Sequence, residues 1–327
     1  MSDTRPTEAR RAPQVQPSPG GPGDPGVIDL RGHEGDRNGL AARPAASLSP
    51  SRAGDFMTCP LLYRYRSIER LPEPPGVEAT RGTLVHAVLE NLFDLAPTDR
   101  TPERAAELVA PQWSALVERD PHLPGLLFGP DDAWERWLAG EQSEPTDAAS
   151  VERFLTDARG FVDRYFALED PTRLQPAERE MSLSCELPSG LVLRGIIDRV
   201  DEAPTGEIRV VDYKTGRAPG PGWEAKALFQ MRFYGLMVWR LRGRVPTRLQ
   251  LLYLGSGERI SVDPTEAELL ATEAKVQALW EAISRATQSD HWPARPSRLC
   301  NWCSFQSRCP AFADAGATAT QPLVPAT

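Results

Sequence analysis

The chain has 327 residues, of which 40% are hydrophobic, and a formal net charge of −8 at pH 7. That is enough apolar material for one sizeable core, and the negative balance excludes nonspecific coating of nucleic acid by the whole surface. No apolar run approaches the length of a membrane span, and the opening residues lack a charged and apolar secretory segment, so a cytoplasmic protein is expected.

Residues 1–45 are dominated by Pro, Gly, Arg and Asp and read as a disordered leader; 313–327 read as a similar tail. The ordered unit is expected over 46–312. It begins with SPSRAGDFMTCPLLYRYR, a helix-start pattern at Ser49 or Ser51 followed by Cys59 and Pro60. GTLVHAVLENLF follows, an amphipathic helix whose buried side is marked by Val85, Leu89 and Phe93. A single histidine on such a helix, here His86, is most often a satisfied core residue. Gly82 reads as a point of close approach, because a bulkier residue there would hold the helix off. Residues 97–170 carry further helical patterns and are expected to form a helical insertion.

From Leu193 to Gly216, LRGIIDRVDEAPTGEIRVVDYKTG holds two apolar runs separated by Pro-Thr-Gly, a β-hairpin pattern turning near Pro204 to Gly206. Each run carries an acid. Strand alternation places Ile208, Val210, Asp212 and Lys214 on one side and Arg209, Val211 and Tyr213 on the other. An aspartate ending a buried strand is costly without compensation, and a second acid opposite it, Asp198, adds repulsion. A divalent cation with oxygen ligands resolves both problems, and Lys214 can offset charge developing on a phosphate. A lone D-x-K is usually a solvated edge or an ion pair; Asp198 one strand upstream, and Thr215-Gly216 as a turn exposing the lysine at the sheet edge, favour the site. Trp223 to Arg242 has helical character and sets Gln230 and Tyr234 four residues apart on one face.

In LCNWCSFQSRCP, Cys300, Cys303 and Cys309 place three thiols in one compact segment, a pattern of metal or cluster ligation. Cys59 is the candidate fourth ligand, and Cys185, in the strand-like SLSCEL, reads as a small buried residue. Zinc would satisfy four thiolates; disulfides fit an odd count of five cysteines poorly.

Taken together, G-T-L-V-H (82–86), G-I-I-D (195–198), V-D-Y-K-T-G (211–216) and Q-M-R-F-Y (230–234) resemble the RecB-type branch of the PD-(D/E)XK nuclease superfamily, over roughly Leu48 to Phe312. The resemblance implies an α/β restriction-endonuclease-like core, a mixed central sheet flanked by helices. It implies His86, Asp198 and Asp212 as ligands of Mg2+ or Mn2+, Lys214 as the catalytic lysine, and Gln230 and Tyr234 as accessory groups. A glutamate ahead of the hairpin is also implied, with Glu180 the better match and Glu178 close by. One cysteine before the motifs and three after them imply a 4Fe-4S cluster on Cys59, Cys300, Cys303 and Cys309, acting as a staple between the first helix and the C-terminal segment. DNA, as single strands or ends, is the implied substrate, with exonuclease action in repair or recombination.

Arg64, Arg66, Arg70 and Arg81, and again Arg240, Arg242, Arg244 and Arg248, form two local clusters suited to phosphate contact. No G-x-x-x-x-G-K-[ST] segment is present, so a motor would have to be a separate helicase subunit. Two other classes stay open: a DNA-end-binding scaffold of this fold without cleavage, and a zinc-stapled protein of unrelated activity.

Overall fold

The computed structural model describes residues 47–141, 147–220 and 224–313. The expected leader and tail, and Trp223 at the start of the anticipated fourth-motif helix, lie outside the described residues, apart from the tail's first residue, Ala313. Ser49 caps the first helix, α1 (Pro50–Thr58), by accepting from the Arg52 amide. Cys59 breaks it in extended conformation before α2 (Pro60–Tyr63). The histidine helix is α3 (Val77–Leu92), with Val85 and Leu89 buried. Four helices follow: α4 (Pro102–Arg119), α5 (Leu123–Phe128), α6 (Ala133–Leu138) and α7 (Ala148–Leu168). Arg100 clamps the two ends of this helical segment: its buried guanidinium donates to the carbonyls of Phe93, Leu95, Pro171 and Leu174.

The sheet is built from β1 (Glu178–Glu186), β2 (Val192–Glu202) and β3 (Ile208–Lys214), then, after α8 (Ala225–Arg242), from β4 (Arg248–Tyr253) and β5 (Glu258–Val262). The strand order is β1-β2-β3-β4-β5; only the β3–β4 pair is parallel, and α8 supplies its crossover. The β2–β3 turn closes at Gly206, whose φ of 93° suits glycine. α9 (Glu266–Ser289) starts from a Thr265/Glu268 capping box.

Alternation along the strands serves two cores. Ile208, Val210, Leu249 and Leu251 pack beneath α8, α9 and α1, while Val211, Tyr213, Leu252 and Leu254 pack beneath α3, α4 and α7. The fold is therefore α/β, a mixed five-stranded sheet covered by helices on both faces. One detail corrects the sequence reading: β3 is the middle strand, so Lys214 stands at the end of the central strand and not on an edge. It reaches solvent, 30% exposed, because the chain leaves the sheet immediately after it.

Candidate active site

Strand register assembles the acids. Arg199 pairs with Val211 across β2 and β3, and one residue further the same register sets Asp198 opposite Asp212. Across β1 and β2, Arg179 pairs with Arg199 and Met181 with Ile197, which sets Glu180 opposite Asp198. Three carboxylates thus lie in a row over three strands. Glu180 adopts a φ of 42°, a left-handed conformation costing a non-glycine residue about 1–3 kcal/mol. Of the two glutamates considered from sequence, Glu178 is exposed and Glu180 is the one that joins the acids.

His86 approaches from α3, on the other side of the sheet. Its Nδ1 lies 3.5 Å from Asp198 Oδ2 and 3.9 Å from Glu180 Oε1, and Nε2 lies 3.1 Å from the Tyr213 carbonyl oxygen. His86, Glu180 and Asp198 each offer a ligand atom within 4.8 Å of the others. Gly82, one turn earlier on α3, permits this approach: a Cβ there would meet Thr215 Oγ1 at 3.4 Å. Tyr213 braces the group from behind. Its amide donates to Asp198 Oδ2 at 2.6 Å, its ring meets the His86 ring edge-on, and its hydroxyl accepts from the buried Arg199 at 2.8 Å.

Asp212 is almost wholly buried. Lys214 Nζ lies 2.6 Å from its Oδ2, and Gln230 Nε2 donates to its Oδ1 at 3.0 Å. Gln230 also donates to the Tyr234 hydroxyl at 3.3 Å, so the two residues of α8 act as one unit. The glycine of G-I-I-D has a packing reason: a Cβ at Gly195 would stand 2.8 Å from Cε1 of Tyr234.

The electrostatics match a cation-binding position. Burial, and then Asp198, raise the Asp212 carboxyl to about 6 against the pull of Lys214. Burial and Asp198 raise Glu180 to about 7, opposed by His86. Burial works against the Lys214 ammonium, but Asp212 and Asp198 outweigh it and hold the lysine above its ordinary range. Asp212 Oδ2 accepts no well-aligned hydrogen bond despite its complete shielding. Three clustered carboxylates beside a histidine form a donor set that fits a hard divalent cation.

The thiols are gathered more loosely. Cys59, Cys300, Cys303 and Cys309 line one cavity of about 240 Å³, all four partly exposed and free, whereas Cys185 is buried in β1. Cys59 Sγ accepts from the Arg295 amide at 3.4 Å and Cys300 Sγ from the Ser297 amide at 3.3 Å. Among the described residues no three thiols have sulphurs within 4.8 Å of one another. Tetrahedral zinc would need separations of about 3.8 Å, so the cysteines as they stand are not a closed zinc quartet.

The arginine clusters expected to contact phosphate are largely neutralised. Arg64, Arg66 and Arg81 pair with acids, as do Arg240, Arg242, Arg244 and Arg248; Arg70 is the exception. The sequence reading missed Arg199, fully buried between Glu169, Asp201 and the Tyr165 and Tyr213 hydroxyls. Its partners are scattered in sequence, so no local pattern betrays it.

A sheet presenting these acids and a lysine at its central strand defines a nuclease class, and comparison with known proteins agrees. The family model of the PD-(D/E)XK nuclease superfamily matches residues 47–310, and the chain belongs to that superfamily. It is similar to the Gene 69 protein of Mycobacterium phage L5, 26% identical over 289 residues covering 81% of this chain and 96% of that one. The Gene 69 protein of Mycobacterium phage D29 is likewise 26% identical, over 282 residues, with the same coverage. A solved structure of a candidate exonuclease from Eubacterium rectale covers 86% of this chain and 91% of its own, at 12% identity and a TM-score of 0.49. PD-(D/E)XK nucleases use divalent metals, generally Mg2+ or Mn2+. No helix among the described residues is long and apolar enough to cross a membrane.

Proposed function

We propose that this chain is a Mg2+- or Mn2+-dependent deoxyribonuclease of the RecB branch, acting as an exonuclease on DNA ends in repair or recombination. The observation that carries the reading is the row Glu180–Asp198–Asp212 beside His86 and Lys214, at the end of the central strand. His86, Glu180, Asp198 and Asp212 would hold the cation, which when bound supplies Lewis acidity to the phosphate and acidifies a water. Lys214 stays protonated beside Asp212 and offsets negative charge growing on the phosphate oxygens. Gln230 fixes the Asp212 carboxylate, and Tyr234 fixes Gln230.

Within the same proposal, Cys59, Cys300, Cys303 and Cys309 hold a 4Fe-4S cluster, with zinc as the alternative; what supports the reading is their shared cavity. The domain would run over 46–312 with α4 to α7 as its helical insertion, in the cytoplasm, served by a separate motor subunit where unwinding is needed. The test is anaerobic purification with a visible absorption spectrum, then cleavage of end-labelled single- and double-stranded DNA with and without Mg2+ or Mn2+. Metal-dependent shortening from an end is expected; no cleavage under any of these conditions would remove the proposal.

A further inference from the structure

Arg199 is the largest side chain that the fold buries completely among the described residues, and the proposed chemistry does not use it. Its guanidinium is held from three sides. Nη2 donates to Glu169 Oε2 at 2.7 Å and to Asp201 Oδ2 at 3.2 Å, and Nε lies 3.1 Å from Asp201 Oδ1. Nη1 donates to the Tyr213 hydroxyl at 2.8 Å and to the Tyr165 hydroxyl at 3.3 Å. The two acids are fixed in turn: Arg209 of β3 pairs with Glu169 at 3.0 Å and Asp201 at 2.7 Å, and Gln250 of β4 donates to Glu169 Oε1 at 3.2 Å. Tied to the end of α7 and to three strands, the guanidinium is a fixed point.

What it touches lies where the sheet stops holding the chain. The β2–β3 ladder ends at Arg199 and Val211, so on the β2 side the backbone of Tyr213 has no strand partner. Its two polar groups serve the acids instead. The Tyr213 amide donates to Asp198 Oδ2 at 2.6 Å, and its carbonyl oxygen lies 3.1 Å from His86 Nε2. A carbonyl oxygen only accepts, so Nε2 carries the proton, and in a neutral ring Nδ1 presents its lone pair. Nδ1 is the nitrogen 3.5 Å from Asp198 and 3.9 Å from Glu180. That is the tautomer a histidine needs to ligate a cation among those acids, and a carbonyl on the other nitrogen is a usual way of fixing it.

Stability alone does not account for this network. A buried guanidinium paired with carboxylates brings little net advantage over packed apolar side chains, because desolvation offsets the attraction. We infer that Arg199 is a positioning residue for the candidate metal site: by holding the Tyr213 hydroxyl it fixes the strand end beyond the β2–β3 ladder, and so sets the Asp198 carboxylate and the His86 tautomer to receive a divalent cation. This rests on the nuclease reading for the identity of the ligand only; the tautomer is read with no ligand present.

The test uses the full chain with isotope-labelled histidine at about pH 8, where an unperturbed imidazole is neutral. Nitrogen NMR in EDTA reads the tautomer, and calorimetric titration with Mn2+ alone reads the affinity. The His86 signals are those missing from His86→Gln. Wild type should carry the proton on Nε2. Tyr213→Phe keeps the ring and removes the hydroxyl; it should mix the two tautomers and weaken Mn2+ binding roughly three- to tenfold. Arg199→Lys keeps a cation beside Glu169 and Asp201 but loses the fork that also reaches Tyr213, so it should do the same, and the double variant should go no further. Tyr165→Phe removes the other hydroxyl on the same nitrogen and should leave tautomer and affinity at wild-type values. A wild-type ring protonated on Nδ1, unchanged tautomer and affinity in Tyr213→Phe, or an equal loss in Tyr165→Phe would overturn the positioning role. If the variants behave as expected but the wild-type protein cleaves no DNA with Mg2+ or Mn2+, the nuclease reading fails and the positioning role stands. If wild type cleaves while Tyr213→Phe keeps its tautomer and affinity, the reverse holds.

Discussion

The three carboxylates on the sheet and the four thiols around the C-terminal turns are both drawn from distant parts of the chain, and they are assembled by different physics. Register gathers the acids: once β1, β2 and β3 pair, Glu180, Asp198 and Asp212 have no choice but to face one another. Their mutual repulsion is imposed by ladders and buried neighbours such as Tyr213 and Arg199. The cysteines sit instead on a helix break and on short 3-10 turns, with weak amide contacts at the Cys59 and Cys300 sulphurs. A site made by strand register is preorganised and strained without its ligand; one made by turns has room to adjust around it. The contrast also tempers the staple idea. Tyr65 already meets Phe305 and donates to the Arg308 carbonyl, and Arg295 donates to the Met57 carbonyl, so the closure between the ends does not rest on sulphur alone.

The largest effect is expected where register concentrates charge. Asp212→Asn and Lys214→Ala should each lower DNA cleavage by about 10³-fold or more while leaving the protein folded, because the first removes a strained buried charge at nearly constant shape and the second truncates a side chain that reaches solvent at a strand end. End-labelled cleavage assays beside thermal melts make the measurement. Wild-type turnover in either variant would remove these residues from the chemistry.

At the looser site, Cys59→Ala and Cys303→Ala should abolish a visible chromophore and lower stability by about 1–3 kcal/mol. Cys185→Ala should keep the chromophore and lose only packing, about 1 kcal/mol. A colourless protein with stoichiometric zinc would replace the cluster with a metal that pulls the thiols inward. If Cys59→Ala kept full metal content, the cysteine before the motifs would not belong to the set.

The strain itself is measurable through pH. Burial and neighbouring acids raise Glu180 to about 7 and Asp212 to about 6, so both bind protons more tightly in the folded than in the unfolded chain. Their contribution to stability is then complete below the ordinary carboxylate range, near pH 4, and is lost as pH rises through about 6 and 7. In EDTA the melting temperature should fall by a few degrees between pH 5 and pH 8, and Mn2+ at pH 8 should restore it. Glu180→Gln should flatten the dependence. A melting temperature that climbs over that interval in the metal-free wild type, with no flattening in Glu180→Gln, would contradict the strained-site account.

Much of the acid site was legible in sequence because a strand converts spacing into geometry. Asp212 and Lys214 share a face, the turn at Gly206 sets the register, and Gln230 and Tyr234 are one helical turn apart. What escaped depends on long-range partners. The preference for Glu180 over Glu178 came from the family resemblance; its structural reason, register and a left-handed residue, is announced by no local pattern. Arg199 reads as one more arginine until α7 brings Glu169 to it. Some partners of the arginine clusters are hidden for the same reason, because acids such as Glu273 of α9, which pairs with Arg240, arrive from other elements.

The smallest effect should come from the accessory pair. Tyr234→Phe removes a hydroxyl that touches Gln230 and leaves the ring in place, so cleavage should slow only about three- to tenfold. Gly195→Ala should reach the same end from the other strand. Its new Cβ would stand 2.8 Å from Tyr234 Cε1, and the ring must shift, taking the hydroxyl away from Gln230. If the hydroxyl matters only by steadying Gln230, and through it Asp212, the double variant should be no slower than the slower single one, because the second change removes a contact already lost. Fully additive losses would show that Gly195 serves the site by another route. The comparison calls for single-turnover rates, where a shift in substrate affinity separates from a change in the chemical step. An effect on affinity alone would assign Tyr234 to substrate binding, and an effect on the rate alone would keep it with the acids.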